Sequence, residues 1–450
     1  MADGARRTCR LVVERDFLIS QVDPRFCGSF VEHLGRVVYG GIYEPTHPRA
    51  DASGFRTDVN ELVRELGVTT VRYPGGNFVS GYDWRDGVGP RESRPRRLDP
   101  AWRALETNEF GLNEFMGWCE TVGVEPFLVF NLGTRGIEAA CQLVEYCNGG
   151  AGSTFADLRR SHGRHEPYGV RLWGLGNEMD GEWQIGSLSA PEYGALASQV
   201  ARAVKRVDDG IEVVAAGSSH RRMLSYPQWD RVVLEQSYDH VDYLGLHEYF
   251  AADVLDEQSF VASGFDFDQY LSTGIATCDY VQELKRSKRR MNLSVDEWNV
   301  NYRHDENKRQ PWQVASAMAE FDYSDRDAVV EGSLLIALLR HADRVKVACQ
   351  SLLVNVGAPV RTETGGPAVK QSIFGPIAAV FNGVRDASVR GVAIDGPDIA
   401  TTAYGDVPAI DAAAVVDNNE QRVTIFLVNR STTFAVDVEV VLRGWDSIGS

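Results

Sequence analysis

The sequence lacks a long hydrophobic run: in the C-terminal third the longest strictly apolar stretch is Leu334–Leu339, far short of a membrane span. No segment is therefore expected to cross a bilayer. The N-terminal stretch MADGARRTCRLVVERDF has no apolar core of the kind a secretory leader needs, because Glu14 and Asp16 interrupt it early. Cysteine is sparse. The seven present cannot all pair, none are spaced C-x-x-C, and Cys141 and Cys147 fall within one helical pattern, which excludes a disulfide scaffold or zinc ribbon. A reduced, cytoplasmic protein is expected. Positive charge is also short, with 46 basic against 63 acidic residues, a net charge of −17. A polyanion such as nucleic acid would be repelled, and a neutral or cationic substrate is favoured. The one basic run, Arg91–Arg97 (RESRPRR), reads as a solvated loop held by local ion pairs.

Several catalytic signatures are missing too. There is no Walker lysine and no G-x-S-x-G elbow. Gly174-x-Gly176 is followed by Glu178-Met179 where a nucleotide loop would carry its third glycine. His247-Glu248 lacks the second histidine of H-E-x-x-H, and His162 and His165 read as a loop pair rather than metal ligands. No cofactor and no metal are expected.

What is present is regular. Of 450 residues, 44% are apolar and 24% charged, as in ordinary globular proteins. Eight short apolar runs recur: Phe26–His33, Val68–Gly75, Glu125–Gly133, Val170–Glu178, Ile211–Ser218, Val241–Tyr249, Met291–Asn299 and Val345–Asn355. Near-continuous apolar runs indicate strands buried on both faces, as in a parallel sheet covered by helices. Between them lie helical patterns, among them Asn108–Val122, a helix opened by the capping-box sequence Ser189-Ala-Pro-Glu192, and Asp325–His341, apolar almost all round. The expected fold class is α/β: a (β/α)8 TIM barrel over residues 21–385, with a doubly wound open sheet as the alternative. After about Asp386 short β-rich segments (Thr401–Tyr404, Ala412–Val416, Arg422–Val428, Phe434–Leu442) alternate with turn residues. Residues 386–450 therefore read as an accessory C-terminal, jelly-roll-like β-sandwich. Residues 1–20 supply an N-terminal strand expected to join it. Ser450 follows closely on a strand, so the sandwich as given need not be whole.

In a parallel barrel, function sits at the C-terminal ends of the strands. Those tips carry Glu32 and His33; Arg72, Gly75, Gly76 and Asn77; Asn131; Asn177 and Glu178; His247, Glu248 and Tyr249; and Asp296–Asn299. Two stand out. Gly-Leu-Gly-Asn177-Glu178 ends the fourth strand and Asp296-Glu297-Trp-Asn299 the seventh. Two carboxyls on opposite walls of one pocket suit glycosidic cleavage, where one protonates the leaving oxygen and the other attacks the anomeric carbon or activates water.

The stretches FVEHLGRVVYGGIYEP (30–45), VRYPGGNFVSGYDWRDGVGP (71–90), RPRRLDPAWRALETNEFGLNEF (94–115), NLGTRG (131–136), WGLGNEMDGEWQIG (173–186), YDHVDYLGLHEYF (238–250), SVDEWNV (294–300) and HADRVK (341–346) closely resemble the α-L-arabinofuranosidases of glycoside hydrolase family 51. The similarity spans roughly 26–384. The resemblance implies a retaining exo-hydrolase that releases terminal α-L-arabinofuranosyl residues from oligosaccharides. It implies Glu178 as acid/base and Glu297 as nucleophile. Glu32, Arg72, Asn77, Trp102, Asn177, His247 and Tyr249 would be substrate-binding, Asn177 on the sugar 2-hydroxyl and Tyr249 also on the nucleophile. A homo-oligomer, often a hexamer, is implied as well. Burial and the neighbouring charge are expected to raise the Glu178 pKa to about 6.

Two positions depart from the family pattern. Asn301 stands where a tryptophan is common, and Leu352 where a substrate-binding glutamine is common; Gln350, two residues earlier, is a candidate substitute. The sugar is therefore less fixed than the reaction. A β-D-galactofuranosidase and a catalytically silent carbohydrate-binding barrel remain the rival readings.

Overall fold

The computed structural model describes residues 7–302, 310–419 and 422–445. The eight apolar runs all contain strands, and these close into one parallel barrel: Gly28–Phe30, Thr70–Tyr73, Glu125–Phe130, Leu172–Leu175, Glu212–Ala216, Tyr243–Ala251, Asn292–Asn301 and Val345–Gln350. The eighth strand pairs back on the first, Cys349 opposite Gly28, so the open-sheet alternative is excluded. The barrel holds Phe127, Val129, Leu172, Val214, Tyr243, Val347 and Cys349 as its own apolar cluster, separate from the larger core beneath the helices. Both faces of each strand thus meet apolar neighbours, which is why the strands read as unbroken runs rather than alternating ones.

The helices follow their sequence signals with local shifts. The capping box at Ser189 opens helix Ala190–Val207, with the Ser189 amide donating to the Glu192 carboxylate at 3.0 Å. The helix expected from Asn108 begins only at Leu112. Gly111 packs directly on Gly87, where a Cβ would lie 2.1 Å from the Gly87 carbonyl oxygen, so the chain is committed to that contact before it can turn helical. Helix Asp325–Arg340 is buried continuously from Val330 to Leu339 because one side covers the barrel and the other meets the C-terminal sheet. Each such leucine removed from water contributes about 1.5–3 kcal/mol.

The C-terminal part is a domain of sheets. Its five-stranded sheet runs in the order Val423–Asn429, Ile410–Asp417, Ala387–Asp395, Arg7–Gln21, Val436–Arg443. The chain's first strand is antiparallel to Ala387–Asp395 and parallel to Val436–Arg443. Thr401–Tyr404, expected as a strand, is instead largely the turn of a hairpin, Asp398–Thr401 with Gly405–Pro408. The Thr401 hydroxyl accepts from the Tyr404 amide and donates to the Gly405 carbonyl, and Gly405 takes the left-handed φ of 72° that closes it. Buried Arg430 and Asp411 pair at the sheet–barrel boundary, with Arg340 on the same carboxylate.

All seven cysteines are free and all but Cys141 are buried. Three of the four arginines of the 91–97 loop are occupied locally: Arg91 and Arg94 by Glu114 at 3.1 and 2.8 Å, Arg97 by Asp86 at 2.8 Å. Among the described residues no helix is long and apolar enough to cross a membrane.

Candidate active site

The tips of the strands converge on a cleft of about 300 Å³ at the C-terminal mouth of the barrel. Its polar side is organised by Arg72, fully buried at the end of the second strand. The guanidinium donates to Glu297 Oε1 at 2.6 Å and to Asn177 Oδ1 at 2.7 Å, and its Nε lies 3.1 Å from Asp296 Oδ2. One cation thereby ties strand two to strands four and seven. Asp296 and Glu297 are consecutive, and strict strand alternation would send one of them outward. The register slips on both sides of the seventh strand between Ser294 and Trp298, and this irregularity turns both carboxylates toward Arg72.

The fourth strand ends differently. Gly176 adopts φ 82°, and Glu178 itself sits in the left-handed region at φ 44°. Such strain at a non-glycine residue costs about 1 kcal/mol or more and persists only where neighbours impose it. Here they do: His247 Nδ1 lies 3.1 Å from Glu178 Oε1, and the Trp183 indole donates to Oε2 at 2.6 Å. One ligand atom each from Glu178, His247 and Glu297 lies within 4.8 Å of the others. The Tyr249 hydroxyl lies 2.9 Å from Glu297 Oε2 and 2.7 Å from Ser351 Oγ, so it can donate to the carboxylate while accepting from the serine. Burial and the Glu297 charge hold the Tyr249 phenol well above its ordinary range, which keeps it a donor.

The first strand supplies Glu32, which accepts from the Phe78 amide at 2.9 Å and the Trp102 indole at 2.8 Å. Gly75 and Gly76 make that approach possible: a Cβ on either would fall 2.7 or 2.6 Å from the Glu32 side chain. Burial, then the Glu297 charge, push Glu32 up to about 8. Asn77 lies beside Asn177, Oδ1 to Nδ2 3.4 Å. Every residue expected at the site is thus brought together. Glu32, Asn77, Trp102, Glu178, Tyr249 and Glu297 line the cleft, with Arg72, Asn177 and His247 directly beneath or beside them.

Two expectations change. The Glu178 carboxyl is not raised toward 6 but lies below its ordinary range: burial pushes it up, and the His247 hydrogen bond and charge, the Trp183 indole and Arg72 together outweigh burial. The proton sits on His247 instead. Burial opposes its charge, but Glu297, Asp296 and Glu178 overcome that and lift the imidazole to about 10. Gln350 does not replace the missing glutamine. It is buried, its amide directed at the Ser351 carbonyl, and it does not line the cleft. Leu352 and Asn301 do line it, and Leu352 with Leu34, Met318, Phe321 and Val356 makes the side facing strand four largely apolar.

Sequence reasoning missed Trp183 and placed Asp296 only at a tip. An exposed aromatic five residues after Glu178 was the available signal for the first; the second depends on the strand irregularity. His162, weighed as a ligand, hydrogen-bonds Tyr146 at 3.0 Å. Among the described residues the one cluster that could hold a metal is Glu178–His247–Glu297.

Known proteins resemble this chain in sequence and in fold. Residues 62–270 match the family model of the α-L-arabinofuranosidase 1 domain, and residues 296–450 that of the α-L-arabinofuranosidase C-terminal domain. The chain is 50% identical over 445 residues to intracellular exo-α-(1→5)-L-arabinofuranosidase 1 of Bacillus subtilis, covering 98% of this chain and 88% of that one. It is 46% identical over 450 residues to an exo-α-(1→6)-L-arabinofuranosidase of Bifidobacterium longum, covering 98% and 86%. Among solved structures, a family 51 α-L-arabinofuranosidase from Bifidobacterium longum superposes with a TM-score of 0.94 at 43% identity, covering 98% and 89%. An arabinose complex of the Thermotoga maritima α-L-arabinofuranosidase gives 0.86 at 32% identity, covering 97% and 88%.

Proposed function

Because the chain belongs to the α-L-arabinofuranosidases of glycoside hydrolase family 51, and so is a glycoside hydrolase, we propose that it releases terminal α-L-arabinofuranosyl residues from oligosaccharides, with retention, through Glu297 as nucleophile and Glu178 as acid/base. The observation that carries the mechanism is the carboxyl spacing. An oxygen of Glu178 and one of Glu297 lie within 4.8 Å of each other, which supports the close pairing of a retaining enzyme (carboxyls roughly 5–5.5 Å apart) over the roughly 6.5–9.5 Å that leaves room for an inverting water.

In the first step Glu297 Oε attacks the anomeric carbon as its bond to the leaving oxygen breaks. The bonding pair goes to that oxygen, which takes a proton from Glu178. Glu178 is supplied across its 3.1 Å contact by His247 Nδ1, the group that holds the proton in the free site. In the second step Glu178 deprotonates a water, the water oxygen bonds to the anomeric carbon, the ester pair returns to Glu297, and Glu178 passes the proton back to His247. Arg72 and Tyr249 hold Glu297 by different oxygens, so the attacking carboxylate cannot rotate away. Asn177, fixed by Arg72, is placed to bind the sugar 2-hydroxyl, an interaction that strengthens at the transition state. Glu32, Asn77 and Trp102 complete the sugar subsite.

Hydrolysis of 4-nitrophenyl α-L-arabinofuranoside tests this, with the β-D-galactofuranoside compared at the same concentrations. The arabinofuranoside is expected to be preferred. The apolar Leu352 wall favours the second reading, since it leaves no glutamine to fix a short exocyclic arm, and a galactofuranoside preference would establish it. Binding of either sugar without turnover would instead leave a silent binding barrel. We further assign catalysis to residues 21–385, with 1–20 and 386–450 forming the structural β-domain. An intracellular location, a linkage among those its relatives cleave, and a homo-oligomeric state complete the proposal; a monomer by light scattering at micromolar concentration would remove the last.

A further inference from the structure

The triangle of Glu178, His247 and Glu297 has the donor chemistry of a metal site as well as that of a glycosidase. From His247 Nδ1, Glu178 Oε1 is 3.1 Å away and Glu297 Oε2 3.7 Å. A zinc-type ion binds nitrogen and oxygen at about 2.0–2.2 Å, so tetrahedral donors stand roughly 3.3 Å apart. Two edges of the triangle are therefore close to the required length. The third, between the carboxylates and no longer than 4.8 Å, closes by at most roughly 1.5 Å, within reach of one glutamate side chain. The other imidazole nitrogen, Nε2, faces Asp296 Oδ2 at 3.7 Å, an ion-pair distance a few tenths of an ångström longer than the carboxylate–histidine hydrogen bond that orients metal-binding imidazoles. Asp296 is buried and its Oδ1 has no hydrogen-bond partner. Arg72 grips Glu297 by Oε1, and Oε2, which accepts from Tyr249, keeps a second lone pair for an ion. The fourth coordination position would face the cleft.

We propose that Glu178, His247 and Glu297 form a binding site for divalent cations of the zinc class, and that an ion bound there inhibits the enzyme. The ion takes the lone pair of Nδ1, whose proton leaves to solvent, and its two charges are matched by the two carboxylates. It ties together the two groups that must act independently on substrate. Magnesium and calcium, which require six or more oxygen donors, are excluded by the imidazole and by the small donor count. The binding half of the proposal rests on donor geometry alone; the inhibitory half rests on the roles given above.

Calorimetric titration of chelator-dialysed protein with ZnCl2, with CoCl2 absorption as a second probe, tests it. Expected are one equivalent of zinc per chain, no heat from MgCl2, visible cobalt bands without thiolate charge transfer, and at least tenfold weaker binding in His247→Asn. Glu178→Gln serves the same purpose if His247→Asn fails to fold. ZnCl2 should raise KM for the nitrophenyl arabinofuranoside without lowering kcat, reversibly by EDTA. Zinc binding that survives unchanged in both variants, thiolate charge transfer, or loss of binding in Cys141→Ser, the one partly exposed cysteine, would overturn the site. So would absence of binding at millimolar zinc. Binding without inhibition would overturn the inhibitory half. A protein that binds zinc but turns over no furanoside would defeat the proposed function and leave the metal site standing.

Discussion

The two sides of the cleft are built on different principles. Toward strands two, four, six and seven the catalytic groups are held by one another: Arg72 by two carboxylates and an amide, Glu297 by Arg72 and Tyr249, Glu178 by His247 and Trp183. Toward strands one and eight, Leu34, Leu352 and Val356 join Met318 and Phe321 in presenting carbon. The polar side is overdetermined, so the chemistry tolerates little change. The apolar side makes no directional demand, so it governs which sugar fits and tolerates substitution. If that division holds, equal-sized substitutions on the two sides should differ in effect by orders of magnitude.

The largest loss is expected for Glu297→Ala. No glycosyl–enzyme ester can form, and kcat should fall by about 10⁴-fold or more on every substrate, whatever the leaving group. Arg72→Met should follow, because it leaves Asp296 and Glu297 buried with their shared cation gone. A destabilisation of about 3–5 kcal/mol in urea unfolding is expected, together with loss of turnover. Glu178→Ala should be selective. Loss of general acid catalysis costs about 10²–10⁴-fold on poor leaving groups, while a dinitrophenyl arabinofuranoside, needing little protonation, should still form the ester. Azide should then speed turnover and give the α-configured glycosyl azide. Azide rescue giving the retained product in Glu297→Ala and the inverted product in Glu178→Ala would exchange the two roles.

A fourth expectation concerns pH. The folded pKa of His247, about 10, lies above the ordinary 6.5. Stabilisation from its charge is thus complete below pH 6.5 and lost as pH rises through about 10. If this proton feeds Glu178, kcat/KM should hold through neutral pH and fall on the alkaline side as the pair titrates. Asp296→Asn, which removes one of the charges raising His247, should move that limb to lower pH; an unmoved limb would disconnect His247 from the acid. The smallest effect belongs to the apolar side. Leu352→Gln should change kcat/KM for the arabinofuranoside by less than about tenfold and alter the arabinofuranoside-to-galactofuranoside ratio. A loss as large as that of Glu178→Ala would erase the distinction between the two sides.

The barrel was legible because burial on both strand faces leaves unbroken apolar runs, and the site because strand tips carry residues that a core would not accept. Glu178, Glu297, Arg72, Asn177 and Tyr249 could be read on that basis. What stayed hidden depends on geometry that no spacing encodes. Asp296 turns inward through an irregularity in its strand. Strand alternation left the reach of Gln350 undecided, and its side chain points at the Ser351 carbonyl. The proton belongs to His247 rather than Glu178 because Glu297 and Asp296, two residues from another strand, face the imidazole. In the C-terminal domain the strands are shorter and their turns polar, so Thr401–Tyr404, mostly turn, carried as much β character as its flanking strands.

The stereochemistry of the first product bears most directly on the proposed chemistry. Proton NMR during the first turnovers of 4-nitrophenyl α-L-arabinofuranoside, before the sugar mutarotates, should show the α anomer of arabinose appearing first. The β anomer appearing first would mean a single inverting displacement, and would contradict the assignment of Glu297 as nucleophile across a spacing this short.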